Sequence, residues 1–312
     1  MTPVNPALPS TYDASPWVEH TEFSDPGRNT SRVLQVNPNL EDLSAVSRNL
    51  VAHYRASGAK ITDDTAADIN SRWVSTILER DRTRNGRQPL AELRAEENRV
   101  QGCCRDHSLL AVTILRSHGV PARVRYGYAN YLIKGFGVDH TIVEVWNEVE
   151  RRWQRFDPEV MTPTGELATP LDHPVGPDAP FKTAAEVWLG WRSGALDPND
   201  YGVRPGGPER GPWMIQTSVI RDGAFRARQE PLLWDMWGVM ADVGGPSEDQ
   251  IALADRIAAM TLAADGGDVG EERRLLALYE RDPRVRMPAT VSTHTPGRGR
   301  TVSDLTAEPT RN

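Results

Sequence analysis

Apolar and polar residues follow two periods along this chain, one typical of helices and one typical of strands. Apolar spacings of three and four across residues 40–54 predict a helix, and a broad apolar stripe across 104–118 predicts another that is largely buried. Residues 122–128 and 140–146 alternate as strands do, and a shorter stretch at 153–156 follows. This order predicts a buried helix followed by an antiparallel meander.

The rest of the chain has weaker patterns, which divide it into four regions. Residues 1–38 are polar and broken by prolines, so we predict an irregular lead-in before a core at 39–182. Residues 183–283 predict a helical extension packed on that core. Within it the pattern predicts a strand at 213–220 and helices at 232–243, 250–264 and 271–280. Residues 284–312 are rich in Arg, Pro, Gly and Thr, a composition that predicts a disordered tail.

Composition narrows the class of protein. The 312 residues carry a formal net charge of −7, which argues against non-specific nucleic-acid binding. The N-terminus lacks the basic and apolar regions of a secretory signal, and no apolar run approaches the roughly 18 residues that span a bilayer. We therefore expect a cytoplasmic protein that binds neither nucleic acid nor membrane. Its only cysteines, Cys103 and Cys104, are adjacent, and because neighbouring cysteines rarely bridge each other, we expect two free thiols.

Three chemically active residues lie on successive elements of the predicted helix and meander. Cys104 opens the buried helix, His140 begins a strand, and Asp157 follows the short strand. A thiol at a helix N-terminus faces the positive end of the helix dipole, which favours the nucleophilic thiolate. An imidazole on one strand can pair with it, and a carboxylate on a neighbouring strand, about 4.8 Å away, can hold the other ring nitrogen. The order therefore indicates a cysteine acyl-transfer site.

The residues around these three positions resemble the transglutaminase-like superfamily. The first element is Gly-x-Cys-x-Asp at 102–106, and the helix that it opens ends in Arg-x-x-Gly-Val-Pro-Ala-Arg at 116–123. The second element is His140 followed by Val-Glu-Val at 143–145, and the third is Trp-x-x-Phe-Asp-Pro at 153–158. The three elements occur in the order that the family shows.

The resemblance implies an α+β fold with a papain-like core, in which the Cys-bearing helix packs on an antiparallel sheet and extra helices precede and follow. It implies that Cys104 is the nucleophile, His140 its base and Asp157 the group that orients the imidazole, with Cys103 a packed neighbour. The implied reaction is acyl transfer or hydrolysis at an amide, peptide or thioester of a peptide, protein or small acyl substrate, without cofactor or metal. Relatives take a second oxyanion-hole donor from an upstream side chain, and the candidates here are Trp73, Asn98 and Gln101.

Other interpretations remain open from the sequence. Cys103, Cys104 and His107 could be three ligands of a zinc ion, although C-C-x-x-H is a poor spacing for a tetrahedral site. Asp157 could simply cap the turn before Pro158. The whole domain could also be a catalytically silent module that binds peptides or scaffolds an assembly, although a retired site usually loses a member of its triad.

Overall fold

Helices and strands both occur throughout a computed structural model of the protein, which describes residues 4–58, 60–160 and 172–306. Its α-helices are α1 (Thr30–Val33), α2 (Leu40–Leu50), α3 (Val74–Asn85), α4 (Cys104–Ser117), α5 (Ala184–Arg192), α6 (Pro212–Arg226), α7 (Glu248–Asp265) and α8 (Val269–Arg281). Its strands are β1 (Val51–His53), β2 (Val100–Gly102), β3 (Ala122–Ile133), β4 (Phe136–Asn147), β5 (Arg152–Phe156), β6 (Phe181–Thr183), β7 (Tyr201–Gly202), β8 (Asp235–Met236), β9 (Thr290–Thr295) and β10 (Gly299–Asp304). Every helix in the described ranges is either too short or too polar to span a bilayer.

The central sheet has the strand order β5-β4-β3-β6, and β7 adds to it in parallel beside β4. The strands β3, β4 and β5 are antiparallel neighbours, as the alternating pattern predicts. In their register Val143 of β4 lies between Val124 of β3 and Phe156 of β5. Gly127 pairs with His140 two residues before the regular β3–β4 register ends at Ala129. The predicted helix and meander are therefore both present.

Alternate residues give the central sheet two faces of opposite character. On one face Val124, Val143 and Phe156 join an apolar cluster with the leucines of α4. The other face carries buried charges, which are Arg123, Arg125, Glu144 and Arg155. Because other elements of the fold cover both faces of the sheet, few residues of these strands are exposed.

The charged face is neutralised by the C-terminal helices. Arg125 donates to Asp222 of α6 and to Asp265 of α7, and Arg226 donates to Asp265 and to Glu272 of α8. We call the whole set the arginine network, and its members are Arg123, Arg125, Arg155, Arg226, Glu144, Asp222, Asp265 and Glu272. Because an unpaired buried charge is strongly destabilising, the balance of four cations and four anions allows the helices to close over the sheet.

The start of α4 is fixed by close packing and by a capping residue. Asp106 Oδ2 accepts a hydrogen bond from the Cys103 backbone N–H at 2.9 Å. A side-chain carbon at Gly102 would meet Asp106 Oδ2 and Val51 Cγ1, each at 2.7 Å, so a larger residue would displace one of them. These contacts place Cys104 at the first position of the helix.

Segments that precede and follow the central strands pack on the sheet. From the lead-in, Tyr12 and Trp17 join Trp146 and Trp153 in an aromatic cluster, and the Arg123 guanidinium lies 4.1 Å from the centre of the Trp153 ring. From the C-terminal side, α5 and α6 contact β3. Helices therefore precede and follow the core, and the predicted α+β fold, with a Cys-bearing helix on an antiparallel sheet, is confirmed.

Two segments of the C-terminal region differ from their predicted structure. Residues 213–220 lie in α6 and not in a strand, because α6 is buried on nearly all sides and so lacks the polar face that marks a helix in a sequence. Residues 232–243 contain β8 and turns instead of a helix. Asp235 accepts hydrogen bonds from Leu232 N and from Arg72, and these bonds fix a turn there.

The predicted disordered tail at 284–312 is wrong for the residues from β9 to β10. These two strands form an antiparallel hairpin, and β9 also pairs with β8. Val291 and Leu305 are buried in the C-terminal apolar cluster. The composition of this segment is unfavourable for a strand, but a partner strand far along the chain supplies the hydrogen bonds. Residues 307–312 lie outside the described residues.

Candidate active site

Three reactive side chains meet at the N-terminus of α4. The Cys104 sulfur, a ring nitrogen of His140 on β4 and a carboxylate oxygen of Glu159 all lie within 4.8 Å of one another. Cys104 and His140 are only 4% and 3% exposed. The structure thus brings together the thiol and the imidazole that the sequence pairs, and it adds a glutamate that the sequence interpretation left out.

The His140 ring is held by a carboxylate at the end of β5. Its Nε2 lies 2.6 Å from Asp157 Oδ2, and the Tyr131 hydroxyl donates to the same oxygen at 2.5 Å. The other oxygen, Oδ1, accepts from the Glu159 backbone N–H at 2.8 Å. Burial alone would raise the pKa of Asp157, but the His140 ring and these hydrogen bonds hold it well below its usual range. Asp157 therefore both caps its turn and pairs with the imidazole.

The two adjacent thiols have opposite acidities. A hydrogen bond with the Cys103 side chain and the proximity of His140 lower the pKa of Cys104 well below its usual value, although burial opposes them. The same hydrogen bond and burial raise the pKa of Cys103, which packs against Ile69, Leu232 and Trp234. Both cysteines are free, as predicted.

The imidazole is correspondingly more basic than usual. Burial opposes its charge, but Asp157 and Cys104 together raise the pKa of His140 well above its usual value. Because the pKa of the thiol falls while that of the imidazole rises, the pair favours a thiolate beside an imidazolium.

Glu159 lies beside this pair with one oxygen unsatisfied. Its side chain is 12% exposed, and Oε2 has no hydrogen-bond partner among the described residues. The His107 ring approaches Oε2 only to 3.8 Å, and the same ring nitrogen contacts the Cys103 carbonyl oxygen at 3.0 Å. Burial raises the pKa of Glu159 well above its usual value, and the Cys104 thiolate adds to this whereas His140 opposes it. The surroundings therefore favour the neutral form of the Glu159 carboxyl group beside Cys104.

Metal binding is a second use for the same donor atoms. Cys104, His140 and Glu159 are the one group found in the described ranges whose atoms could surround an ion. However, Nε2 of His140 is already engaged by Asp157, and a sulfur beside the remaining ring nitrogen is equally the arrangement of a nucleophile and its base. We therefore do not assign these residues as metal ligands.

The zinc site considered from the sequence is not formed. Donor atoms of Cys103, Cys104 and His107 do not converge in the described part of the chain. Both ring nitrogens of His107 instead contact backbone carbonyl oxygens, that of Cys103 at 3.0 Å and that of Val51 at 3.2 Å. His107 thus has a structural position on the buried face of α4.

The three side chains predicted as second oxyanion-hole donors lie on segments that precede α4. Gln101 lies on β2, three residues before Cys104, and its Oε1 is buried without a hydrogen-bond partner among the described residues. Trp73 packs on the apolar cluster that contains α4, and Asn98 ends a 3-10 turn before β2. The role of oxyanion donor stays a prediction for each of them.

Three residues near the site were missed by the sequence interpretation. Tyr131 lies where the register between β3 and β4 shifts, and His53 pairs with Gly102 across β1 and β2. Burial lowers the pKa of His53 to about 4, so this ring is neutral near pH 7. The register shift in the β3–β4 hairpin places Tyr131, and the long-range pairing of β1 with β2 places His53. No local pattern signals either position. Glu159 had a signal, because it lies in the same Asp-Pro-Glu turn as Asp157.

One comparison with known proteins, the family model, covers the residues of this site. Residues 51–158, which include Cys104, His140 and Asp157, match the family model of the transglutaminase-like superfamily, and this confirms the resemblance drawn from the motifs. A solved structure of a "Putative Cysteine Protease" from Cytophaga hutchinsonii is similar at 18% identity, with a TM-score of 0.32. It covers 55% of this chain and 52% of that chain, and a similarity this weak carries no argument. No curated protein sequence matches the chain.

Proposed function

We propose that this chain, whose residues 51–158 match the transglutaminase-like superfamily model, is a cysteine enzyme that transfers or hydrolyses acyl groups through an acyl-Cys104 intermediate. One observation carries this proposal. The Cys104 sulfur, at the first position of a buried helix, lies within 4.8 Å of a ring nitrogen of His140, whose Nε2 is 2.6 Å from Asp157. Cys104 is the nucleophile, His140 the acid and base, and Asp157 the residue that orients the ring.

The first half of the reaction forms the acyl-enzyme. The Cys104 thiolate attacks the carbonyl carbon of an amide, peptide bond or thioester, and the negative charge moves to the carbonyl oxygen. The backbone N–H of Cys104 has no acceptor within its own helix, because the first N–H groups of a helix have none, and it can donate to this oxygen. His140 then gives its proton to the leaving group as the bond to that group breaks.

The second half releases the acyl group. A water molecule or an amine attacks the thioester carbon, and His140 accepts its proton as the bond to sulfur breaks. Water gives hydrolysis, whereas an amine gives a new amide. Asp157, which is ionised, stabilises the imidazolium in both halves and keeps Nε2 in place, so that the other ring nitrogen serves the sulfur.

The substrate class follows from this chemistry. A peptide, a protein side-chain amide or a small acyl thioester each presents a carbonyl carbon with a leaving group that His140 can protonate. We assign the catalytic core to residues 39–182 and a cytoplasmic location to the chain. No step in this mechanism calls for a cofactor.

Intact-mass spectrometry with a panel of peptide amides and acyl thioesters tests the assignment. We expect the mass of one acyl group to be added to the wild type and to Cys103→Ser, a matched control that keeps a hydrogen-bond donor beside Cys104. We expect no addition to Cys104→Ala. An adduct that maps to Cys103, or one that forms equally in Cys104→Ala, would show that the nucleophile is misassigned. No adduct with any donor would favour a silent binding module.

A further inference from the structure

Glu159 is a buried group at the reacting centre that the mechanism above does not use. Its carboxylate oxygen lies within 4.8 Å of both the Cys104 sulfur and a His140 ring nitrogen. Its Oε2 is enclosed and has no hydrogen-bond partner among the described residues. Leaving a buried polar atom without a partner is unfavourable, so such an atom calls for an explanation.

The position of Glu159 is fixed by the turn that also fixes Asp157. The Glu159 backbone N–H donates to Asp157 Oδ1 at 2.8 Å. The intervening Pro158 carbonyl oxygen accepts a hydrogen bond from Ser44 Oγ of α2 at 2.9 Å. Glu159 is therefore held on the site by the same contacts that position the proposed triad.

The charges around Glu159 determine its protonation state. The groups that face it are Cys104, Asp106 and His107 from α4, His140 from β4, Tyr131 from β3 and Asp157 from its own turn. Three of these can carry a negative charge near neutral pH, and the one imidazolium, His140, is already shared between Asp157 and Cys104. A further carboxylate would lie unpaired beside a thiolate, which is costly at a buried position. Glu159 is therefore an acid that retains its proton.

We propose that the protonated carboxyl group of Glu159 donates a hydrogen bond to the oxyanion that forms when Cys104 attacks a carbonyl carbon. This proposal rests on the proposed acyl-Cys104 chemistry and deepens it. A carboxylic acid that its surroundings keep neutral is an effective oxyanion donor, because its O–H is a strong donor and carries no solvation shell. The unsatisfied oxygen is then satisfied in the transition state and not before it.

The bonds and protons balance in this step. The Cys104 sulfur bonds to the carbonyl carbon, and one carbonyl electron pair moves to the oxygen. Glu159 donates a hydrogen bond to that oxygen but keeps its proton. When the pair returns, the bond from carbon to the leaving group breaks, and the proton of His140 goes to the leaving group. Glu159 thus touches the substrate oxygen and makes a contact that is strongest when the charge is on that oxygen.

The test compares two reactions of the same sulfur. Acylation of Cys104 by p-nitrophenyl acetate passes through an oxyanion, whereas alkylation by iodoacetamide replaces iodide directly and forms none. Both rates are measured by intact mass for the wild type, Glu159→Met and Glu159→Gln. Methionine fills the same space without a donor, and glutamine keeps a neutral N–H donor. Glu159→Ala serves as a second donor-free variant if the Met variant fails to fold.

We expect Glu159→Met to slow acylation about 100-fold, the typical effect of one oxyanion donor, while alkylation changes less than about threefold. We expect the acylation rate of Glu159→Gln to be at least about tenfold higher than that of Glu159→Met. If alkylation falls as far as acylation, Glu159 only maintains the structure. If Glu159→Gln is as slow as Glu159→Met, an ionised carboxylate acts there and the proposal is wrong.

Two other results would be equally decisive. Stoichiometric zinc in the purified wild type that is lost in Glu159→Met would identify a metal site and overturn the proposal. Equal acylation of Cys104 in all variants would overturn the role of Glu159 and leave the proposed function intact. A wild type that is never acylated at Cys104 would instead overturn the proposed function, and the role of Glu159 with it.

Discussion

Two largely buried glutamates, Glu144 on β4 and Glu159 just after β5, ionise in opposite directions. Glu144 on β4 is 1% exposed, and it accepts from Arg123 at 2.7 Å, from Arg125 at 3.0 Å and from Arg155 at 2.9 Å. Those guanidinium groups outweigh its burial and hold its pKa well below the usual value. Glu159, three residues after β5, has no guanidinium partner among the described residues, and burial raises its pKa.

The difference shows that partners, and not burial, decide the charge of a buried acid in this fold. Within the arginine network every carboxylate is matched by a cation, so the network is inert and holds the C-terminal helices on the sheet. At the N-terminus of α4, a thiol, an imidazole and a carboxylic acid are packed together without full compensation, and their pKa values are displaced. Groups whose pKa values are displaced in this way are typical of reactive sites.

Asp157→Asn should have the largest effect. Like Glu144, Asp157 is an acid whose pKa is lowered by a cationic partner, and the substitution makes it neutral. The imidazolium would lose the partner that lies 2.6 Å away, and the ring would be free to adopt the wrong tautomer. We expect the rate of acylation by p-nitrophenyl acetate to fall by about 10³–10⁴-fold, with the thiol still present. Asp139→Asn is the control, since Asp139 precedes His140 on β4 but accepts a hydrogen bond from Tyr126. A similar loss in both variants would remove the distinction between them.

Glu144→Gln tests the stabilising side of the comparison. Three buried arginines would keep their charges while the carboxylate between them is lost, so we expect the free energy of unfolding to fall by about 3–5 kcal/mol. Urea denaturation measures this change. Glu79→Gln, which weakens a partly exposed pair with Arg28, should cost less than about 1 kcal/mol. Equal costs at the two positions would mean that the arginine network contributes no more than a surface ion pair.

The two glutamates should give pH dependences of opposite sign. Because its pKa is depressed, Glu144 stabilises the fold at pH values above its ordinary pKa of 4.5. This contribution is lost as the pH falls below 4.5 towards the pKa in the folded protein. The raised pKa of Glu159 gives a contribution that is complete below 4.5 and is lost as the pH rises through the folded pKa. As the pH rises above 4.5, the free energy of unfolding of the wild type should therefore fall relative to that of Glu159→Gln, by up to about 1.4 kcal/mol per pH unit.

Urea denaturation from about pH 2.5 to pH 8 checks both slopes, because the Glu144 contribution changes only below pH 4.5. The same series on Glu144→Gln should show the advantage of the wild type shrinking towards acid pH. Parallel slopes for the two variants would contradict the opposite ionisation of the two glutamates.

Glu159→Gln at about pH 5 should have the smallest effect. Both side chains are then neutral and of similar size, so we expect the free energy of unfolding to change by less than about 1 kcal/mol. The measurement is again urea denaturation. A loss that approaches that of Glu144→Gln would show that Glu159 is ionised and paired in the folded protein.

The sequence predicts the elements that surround the site better than it predicts the rest of the chain. The α4 stripe and the β3–β5 alternation are strong periodic signals, and the motif spacing singles out Cys104, His140 and Asp157. By contrast, α6 has no polar face to reveal it, and β8 depends on the hydrogen bonds of Asp235 with distant residues. Periodicity reports a single exposed face, so elements buried all round or paired at long range escape it.

The chemistry of Glu159 could not be predicted from its place in the sequence. The Asp-Pro-Glu turn places it near Asp157, but its protonation depends on the burial and the charges that surround it in three dimensions. Glu144 also lies in a family motif, and no local pattern distinguishes the two glutamates. The arginines that neutralise Glu144 are 11 to 21 residues away in sequence.

The pH dependence of iodoacetamide alkylation, mapped to individual cysteines by peptide mass spectrometry, tests most directly whether Cys104 is an activated nucleophile. In the wild type we expect Cys104 to be alkylated at a rate that is already constant near pH 7, because its pKa lies below the ordinary thiol value near 8.5. In His140→Ala the alkylation rate should instead increase with pH as Cys104 ionises with the ordinary thiol pKa of about 8.5. Labelling of Cys103 in preference to Cys104, or an ordinary thiol titration of Cys104 in both proteins, would contradict the proposed enzyme.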